Sequence, residues 1–180
     1  GNLLSQWRGY SNHGKGVSLG FNHEAIQSLA VAQNFYLGQC LYDSQERHDL
    51  AYEIVDCLIS MYQEGEDRSA IFHGIEADLM IICALLKHPS FAEEQEWRLI
   101  SPTFTSTADA PIAFREGKAM LVPYYLFDLE LDRVIKLDHV FVGPAPNAAL
   151  SVNSVMHYLT NKNARPEKGI SDSEIPYRPR

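Results

Sequence analysis

Lys87-His-Pro-Ser-Phe91-Ala-Glu-Glu94-Gln-Glu96-Trp97-Arg98-Leu-Ile100 is the stretch where helical sequence gives way to strand sequence. Pro89 has no N–H and disfavours helix at Ser90, so the apolar run ending at Leu86 cannot continue through it. From Glu94 onward the residues alternate. In a strand, side chains two apart share a face. Glu94, Glu96 and Arg98 are therefore expected on one face, with Gln95, Trp97 and Leu99 on the other, and Trp97 with Leu99 marks the second face as the buried one. The first face would present two carboxylates roughly 7 Å apart with a guanidinium beyond them. That spacing suits a site needing one ionised and one proton-shuttling carboxylate. It equally suits a solvated sheet face whose charges pair across strands.

The rest of the chain bounds what this stretch can belong to. With 180 residues, it is one domain or a little more. Such a chain can bury roughly 70% of its unfolded surface. Its 46% hydrophobic and 21% charged content is that of a soluble globular protein. The formal net charge of −8 argues against nonspecific nucleic-acid binding, which needs a basic face. Cys40, Cys57 and Cys83 are odd in number and widely spaced, with no C-x-x-C. They read as reduced core thiols in a cytoplasmic protein, not as a disulfide frame or zinc site. No apolar run reaches the ~18 residues of a membrane span, and no stretch has the pattern of a secretory signal. The chain opens at Gly1 without methionine, directly into Leu3-Leu4, so a short native N-terminal segment is expected to be missing.

In order, Trp7, Arg8 and Tyr10 come first. Aromatics beside an arginine can stack a flat ring while the guanidinium holds a phosphate or carboxylate. They can also be a core anchor with a snorkelling arginine. Asn12-His13-Gly14-Lys15-Gly16 reads as a turn before a strand in which Val17, Leu19 and Phe21 alternate with Ser18 and Gly20. The turn is not a phosphate loop of the Walker type, because the spacing and the following Ser/Thr are missing. Asn22 is an N-cap for a helix over 23–34. A short strand is expected over 38–42. A helix from Ser44 to Gly65 carries an apolar face of Leu50, Ile54, Leu58 and Met61, with Ala51, Val55 and Tyr62. The helix over 69–86 is apolar nearly all round and reads as the most buried one. His73 and Glu76 lie one turn apart on it, too few ligands for a metal and better read as a hydrogen-bonded pair.

Beyond the opening stretch, 110–115 reads as an edge strand and 119–131 as a long alternating strand with Pro123 in it. Val140 to Pro144 is a buried strand, Asn147 starts a helix to about Lys162, and 170–178 is a final strand. The expected class is α+β: one domain over 1–180, with a mostly antiparallel or mixed sheet of about five to seven strands and about four helices mainly on one side.

These residues also form an ordered pattern. W-x-x-Y is Trp7 with Tyr10, and a glycine turn is Gly14 with Gly16. K-x-x-x-F-x-x-E-x-E-W-R is Lys87, Phe91, Glu94, Glu96, Trp97 and Arg98. Val122-Pro123-Tyr124, Val140 to Pro144 and Ser173 to Arg178 follow. In this the chain resembles a bacterial family known only as a domain of unknown function, number 2971. The resemblance implies a fold and a set of shared residues, and no activity.

Two readings of function remain open. An early arginine, aromatics, a serine-bearing strand and a later E-x-E loosely resemble the Arg/Ser/Glu scheme of ADP-ribosyltransferases. That resemblance implies NAD as cofactor, Arg8 on its pyrophosphate, Trp7 or Tyr10 stacking, and Glu96 acting at the ribose with Glu94 assisting. Lys87, Arg98 and Arg178 would complete the ligand-binding set around this small molecule. A glycohydrolase using Glu94 and Glu96 as its catalytic pair is close to it. Against the scheme, two helices separate the strand from the E-x-E, and Ser18 lacks the usual serine-threonine context. The second reading is a non-catalytic ligand- or protein-binding module, for example an accessory domain in stress or phage defence. There Glu94, Glu96 and Arg98 form an ion network with Lys87, Arg8 or Arg178. The protein partner is not readable from the sequence.

Overall fold

The computed structural model describes residues 4–10, 16–63, 67–104, 106, 110–131, 133–173 and 175, except the side chains at positions 4, 5, 8 and 131. The elements in chain order are α1 (Leu4–Tyr10), β1 (Val17–Phe21), α2 (His23–Ala32), β2 (Tyr36–Gln39), α3 (Ser44–Gln63) and α4 (Arg68–Leu85). A 3-10 helix (Pro89–Glu94) leads to β3 (Trp97–Ile100), β4 (Ile112–Glu116), β5 (Leu121–Tyr125), β6 (Glu130–Leu131), β7 (Val134–Ile135), β8 (Leu137–Val142), α5 (Ala148–Asn161) and β9 (Ile170–Asp172). The class is α+β, with mostly antiparallel pairing. The strands are spread over one three-stranded sheet, β1-β8-β9, and three two-stranded ribbons. Two compact units result: Gly1–Leu29 with Asp128–Arg180, and Ala30–Phe127.

In the first unit β8 is central, antiparallel to β1 and parallel to β9. Its register with β1 slips between Gly20 and Phe21, where Phe21 pairs with Leu137 and Gly20 with His139. Asp138 is the extra residue of this bulge. The slip explains why Leu137 and Val140, an odd number apart, both face the core. They pack with Leu159 of α5 and Ala164, flanked by Phe21, Ile135, Val155 and Ile170. Gly169 enters β9 at φ +82°, a conformation open to glycine, and its carbonyl accepts from Val140 N at 3.2 Å. Asn22 caps α2 as expected, its Oδ1 accepting from Ala25 N at 3.0 Å.

In the second unit β2 and β3 form an antiparallel ribbon. Residue Leu41 then bridges in parallel to Leu86, just past the end of α4. The 38–42 strand is thus displaced to Tyr36–Gln39. Helix α4 is less buried than its sequence predicts. Only Ile71 and Leu85 are buried in α4, while Phe72 and Met80 are exposed, and α3 buries no residue. A helix apolar nearly all round needs cover on every side. Among the described residues α4 packs mainly on α3 and on the β2–β3 ribbon. Cys57 and Cys83, on these two helices, are exposed free thiols, and only Cys40 is a core thiol. The long strand expected over 119–131 breaks after Tyr125. Phe127 turns onto Phe35, ring centres 5.0 Å apart, and the Asp128 carboxylate accepts from Glu130 N at 2.9 Å, a local turn that competes with the ladder. Tyr125 itself stacks on Phe104 at 5.2 Å.

Among the described residues no helix is long and apolar enough to cross a membrane.

Candidate functional site

The site is assembled by the chain path at the end of α4. Helix α4 stops at Leu85, as Pro89 demands, and Leu86 takes extended backbone. Two ladder bonds then hold the exit in place: Leu41 N donates to Leu85 O at 2.9 Å, and Lys87 N to Leu41 O at 3.1 Å. His88 caps the 3-10 helix, Nδ1 accepting from Ser90 N at 3.2 Å, with Pro89 in its first turn. Gln95 ends it in left-handed conformation, φ 45° and ψ 47°, and swings the chain into β3.

Glu94 is therefore the last residue of a 3-10 helix and not part of a strand face. The expected alternation of Glu94, Glu96 and Arg98 along one strand does not occur, because the reversal at Gln95 precedes β3. The three groups are gathered by a cation instead. The Lys87 ammonium donates to the carboxylates of both Glu94 and Glu96. Arg98 closes the cluster from the other side: Nε donates to Glu96 Oε1 at 3.0 Å and Nη2 to Oε2 at 3.3 Å. Its Nη1 donates to the carbonyl of Ala84 on α4. Two carboxylates and two cations balance to zero charge.

Two residues outside the expected site complete the frame. The Tyr42 hydroxyl accepts from Glu96 N at 2.9 Å, and Cys40 N donates to Glu96 O at 2.9 Å. Neither carries a motif. The only sequence signal is their position just after a strand that pairs with β3. Gly38 stands opposite Arg98 in the ribbon. A Cβ there would lie 3.0 Å from both Leu85 methyls and 2.9 Å from the Tyr36 ring, so glycine lets α4 close onto the ribbon.

The electrostatics follow from this packing. The Arg98 guanidinium first, and the Lys87 ammonium second, hold the Glu96 carboxyl below its ordinary range. Lys87 is raised well above its ordinary value by Glu94 and then by Glu96, and Arg98 is raised mainly by Glu96. Burial pushes the Cys40 thiol up, against the pull of Arg98. Glu96 is thus an ionised carboxylate with both oxygens engaged, and Cys40 is a protonated thiol.

Trp97 was expected on the buried face of β3 and is instead 50% exposed. It lies at the end of a two-stranded ribbon, opposite Gln39, where no third strand adds a layer among the described residues. Trp7 and Tyr10 belong to the first unit. Trp7 is buried and Tyr10 is 79% exposed, so the two do not form one stacking platform. The side chain of Arg8, and all of Arg178, lie outside the described residues. His73 and Glu76 are both exposed, with no hydrogen bond between them. Among the described residues no cluster of His, Cys, Asp and Glu has the makings of a metal site.

A family model described as "Protein of unknown function (DUF2971)" matches residues 6–99. That is just over half of the 180-residue chain. The matched span contains Trp7, Tyr10 and everything from Lys87 to Arg98. Val140 to Pro144 and Ser173 to Arg178 lie beyond it. No curated protein and no solved structure matches the chain.

Proposed function

The chain belongs to the DUF2971 family, and from that premise we propose that it is a non-catalytic binding module whose Lys87–Glu94–Glu96–Arg98 cluster is a structural ion network. One observation carries this reading: both oxygens of Glu96 are engaged by cations that are themselves tied to the fold. A general acid needs a carboxyl whose affinity for its proton is raised, and Glu96 is shifted the other way. The network joins the end of α4, the 3-10 helix and β3 through side chains of opposite sign. Exposed, free Cys57 and Cys83 suit a reducing compartment and support a cytoplasmic location.

The second reading is the NAD-handling transferase or glycohydrolase. What favours it is that Glu96 is held ionised, as a carboxylate facing an oxocarbenium-like centre must be. Thermal unfolding in about 1 mM NAD separates the two readings. The binding-module reading expects no shift of the midpoint and no nicotinamide release. A midpoint raised by NAD in the wild type and not in Glu96→Gln, with nicotinamide appearing in solution, would replace it with the enzyme.

A further inference from the structure

The strongest unexplained feature is α3. It runs 20 residues and buries none of them. Leu50, Ile54, Leu58 and Met61 form a half-buried stripe. A second stripe, Tyr52, Val55, Ile59 and Tyr62, lies beside it and is 49–69% exposed. Its 3-4-3 spacing is that of the a and d positions of a coiled coil, the seam one helix presents to another helix.

The exposed stripe is also symmetric. Read in either direction it runs tyrosine, β-branched, β-branched, tyrosine. Laid antiparallel on a copy of itself, Tyr52 meets Tyr62 and Val55 meets Ile59. A two-fold contact requires this self-complementarity. The apolar rim favours the same orientation, and the acidic rim works against it by like-charge repulsion at the solvent edge. One side of the stripe carries Asp49 and Asp56, the other Ala51 and Leu58. In an antiparallel pair acidic rim faces acidic rim at the solvent edge, and apolar rim faces apolar rim. A parallel pair would press each aspartate against Leu58 or Ala51. The Arg68 guanidinium, 5.1 Å from the centre of the Tyr62 ring, steadies the last turn of the seam.

With Ala51, Ile54 and Leu58 included, the bare apolar surface of α3 is roughly 500–600 Å² per copy, as large as the largest patch on a typical monomer. Two copies would remove about 1,000–1,200 Å² from water, the lower end of what a specific contact needs. We propose that a second copy of this chain covers the outer face of α3, helix against helix and antiparallel, in a dimer of micromolar affinity. The proposal uses residues outside the ion network and stands independently of the binding-module reading.

The test is sedimentation equilibrium of the full chain up to about 100 µM. Wild type should reach twice the monomer mass. Val55→Glu/Ile59→Glu should remain monomeric, with unchanged helical circular dichroism, since both side chains are exposed already. Tyr52→Ser/Tyr62→Ser adds no charge and guards against an unwound α3; it too should weaken association at least tenfold. Raising the salt from about 0.05 to 0.5 M should tighten the dimer by screening Asp56 from the Asp56 of the second copy. A monomeric wild type would leave this face to a different protein and overturn the proposal. A dimer that survives both variants, or one that loosens with salt, would overturn it as well.

Discussion

Arg98 and Glu96, two residues apart, are joined twice: Nε donates to Oε1 at 3.0 Å and Nη2 to Oε2 at 3.3 Å. The same Glu96 Oε2 also accepts from Lys87. A carboxylate held in this way supports a fold well and gives or takes a proton poorly.

Acid should therefore remove its contribution. The folded pKa of Glu96 lies below its unfolded value. Its stabilisation is complete above the ordinary glutamate range and is lost as pH falls through the folded pKa. Glu96→Gln should cost about 1 kcal/mol at pH 7, modest because the side chain is near one-third exposed and water screens the pair. The gap between wild type and variant should begin to narrow as pH falls through the ordinary glutamate range, near about pH 4, and go on narrowing toward the lowered folded pKa. Urea unfolding at a series of pH values measures it. A gap that stays constant down to pH 3 would argue that packing, and not charge, is what the variant loses.

Tyr125 carries a different expectation. Among the described residues its hydroxyl is buried without a hydrogen-bond partner, and burial raises its pKa. The ring is held by Phe104 and Phe35. Tyr125→Phe keeps those contacts and removes the orphaned group, so its melting temperature should equal or exceed that of wild type by a few degrees. A clear drop would reveal a partner for the hydroxyl.

At the β4–β5 turn, a Cβ on Gly117 would lie 2.7 Å from the backbone carbonyl oxygen of Met120. Gly117 N also donates to that oxygen, at 3.1 Å. Gly117→Ala should push the turn open and cost about 1–2 kcal/mol, with faster amide exchange along the hairpin. Unchanged exchange would show that the turn yields without loss.

Much of this was legible from local chemistry. Pro89 stops α4, Asn22 caps α2, and the alternation of Val17, Leu19 and Phe21 marks β1. These are decided within a few residues. The grouping of Lys87, Glu94, Glu96 and Arg98 was legible as a cluster but not as a geometry. The left-handed Gln95 carries no glycine to announce the turn. Tyr42 is 54 positions from Glu96, a contact made by strand pairing alone. The burial of α4 falls short of what its sequence predicts for a similar reason. An apolar face records that a helix wants cover, and nothing in the helix says where the cover is.

A double-mutant cycle on Lys87 and Glu96 decides whether the cluster is structural. Unfolding is measured for wild type, Lys87→Met, Glu96→Gln and the double variant. If the cluster is structural, each single variant is less stable than wild type and the double loses less than the two combined, because each single variant takes one partner from the other residue and leaves it only Arg98 or Glu94. A Glu96→Gln protein as stable as wild type or more so, with additive effects, would contradict it and return the two carboxylates to an active site.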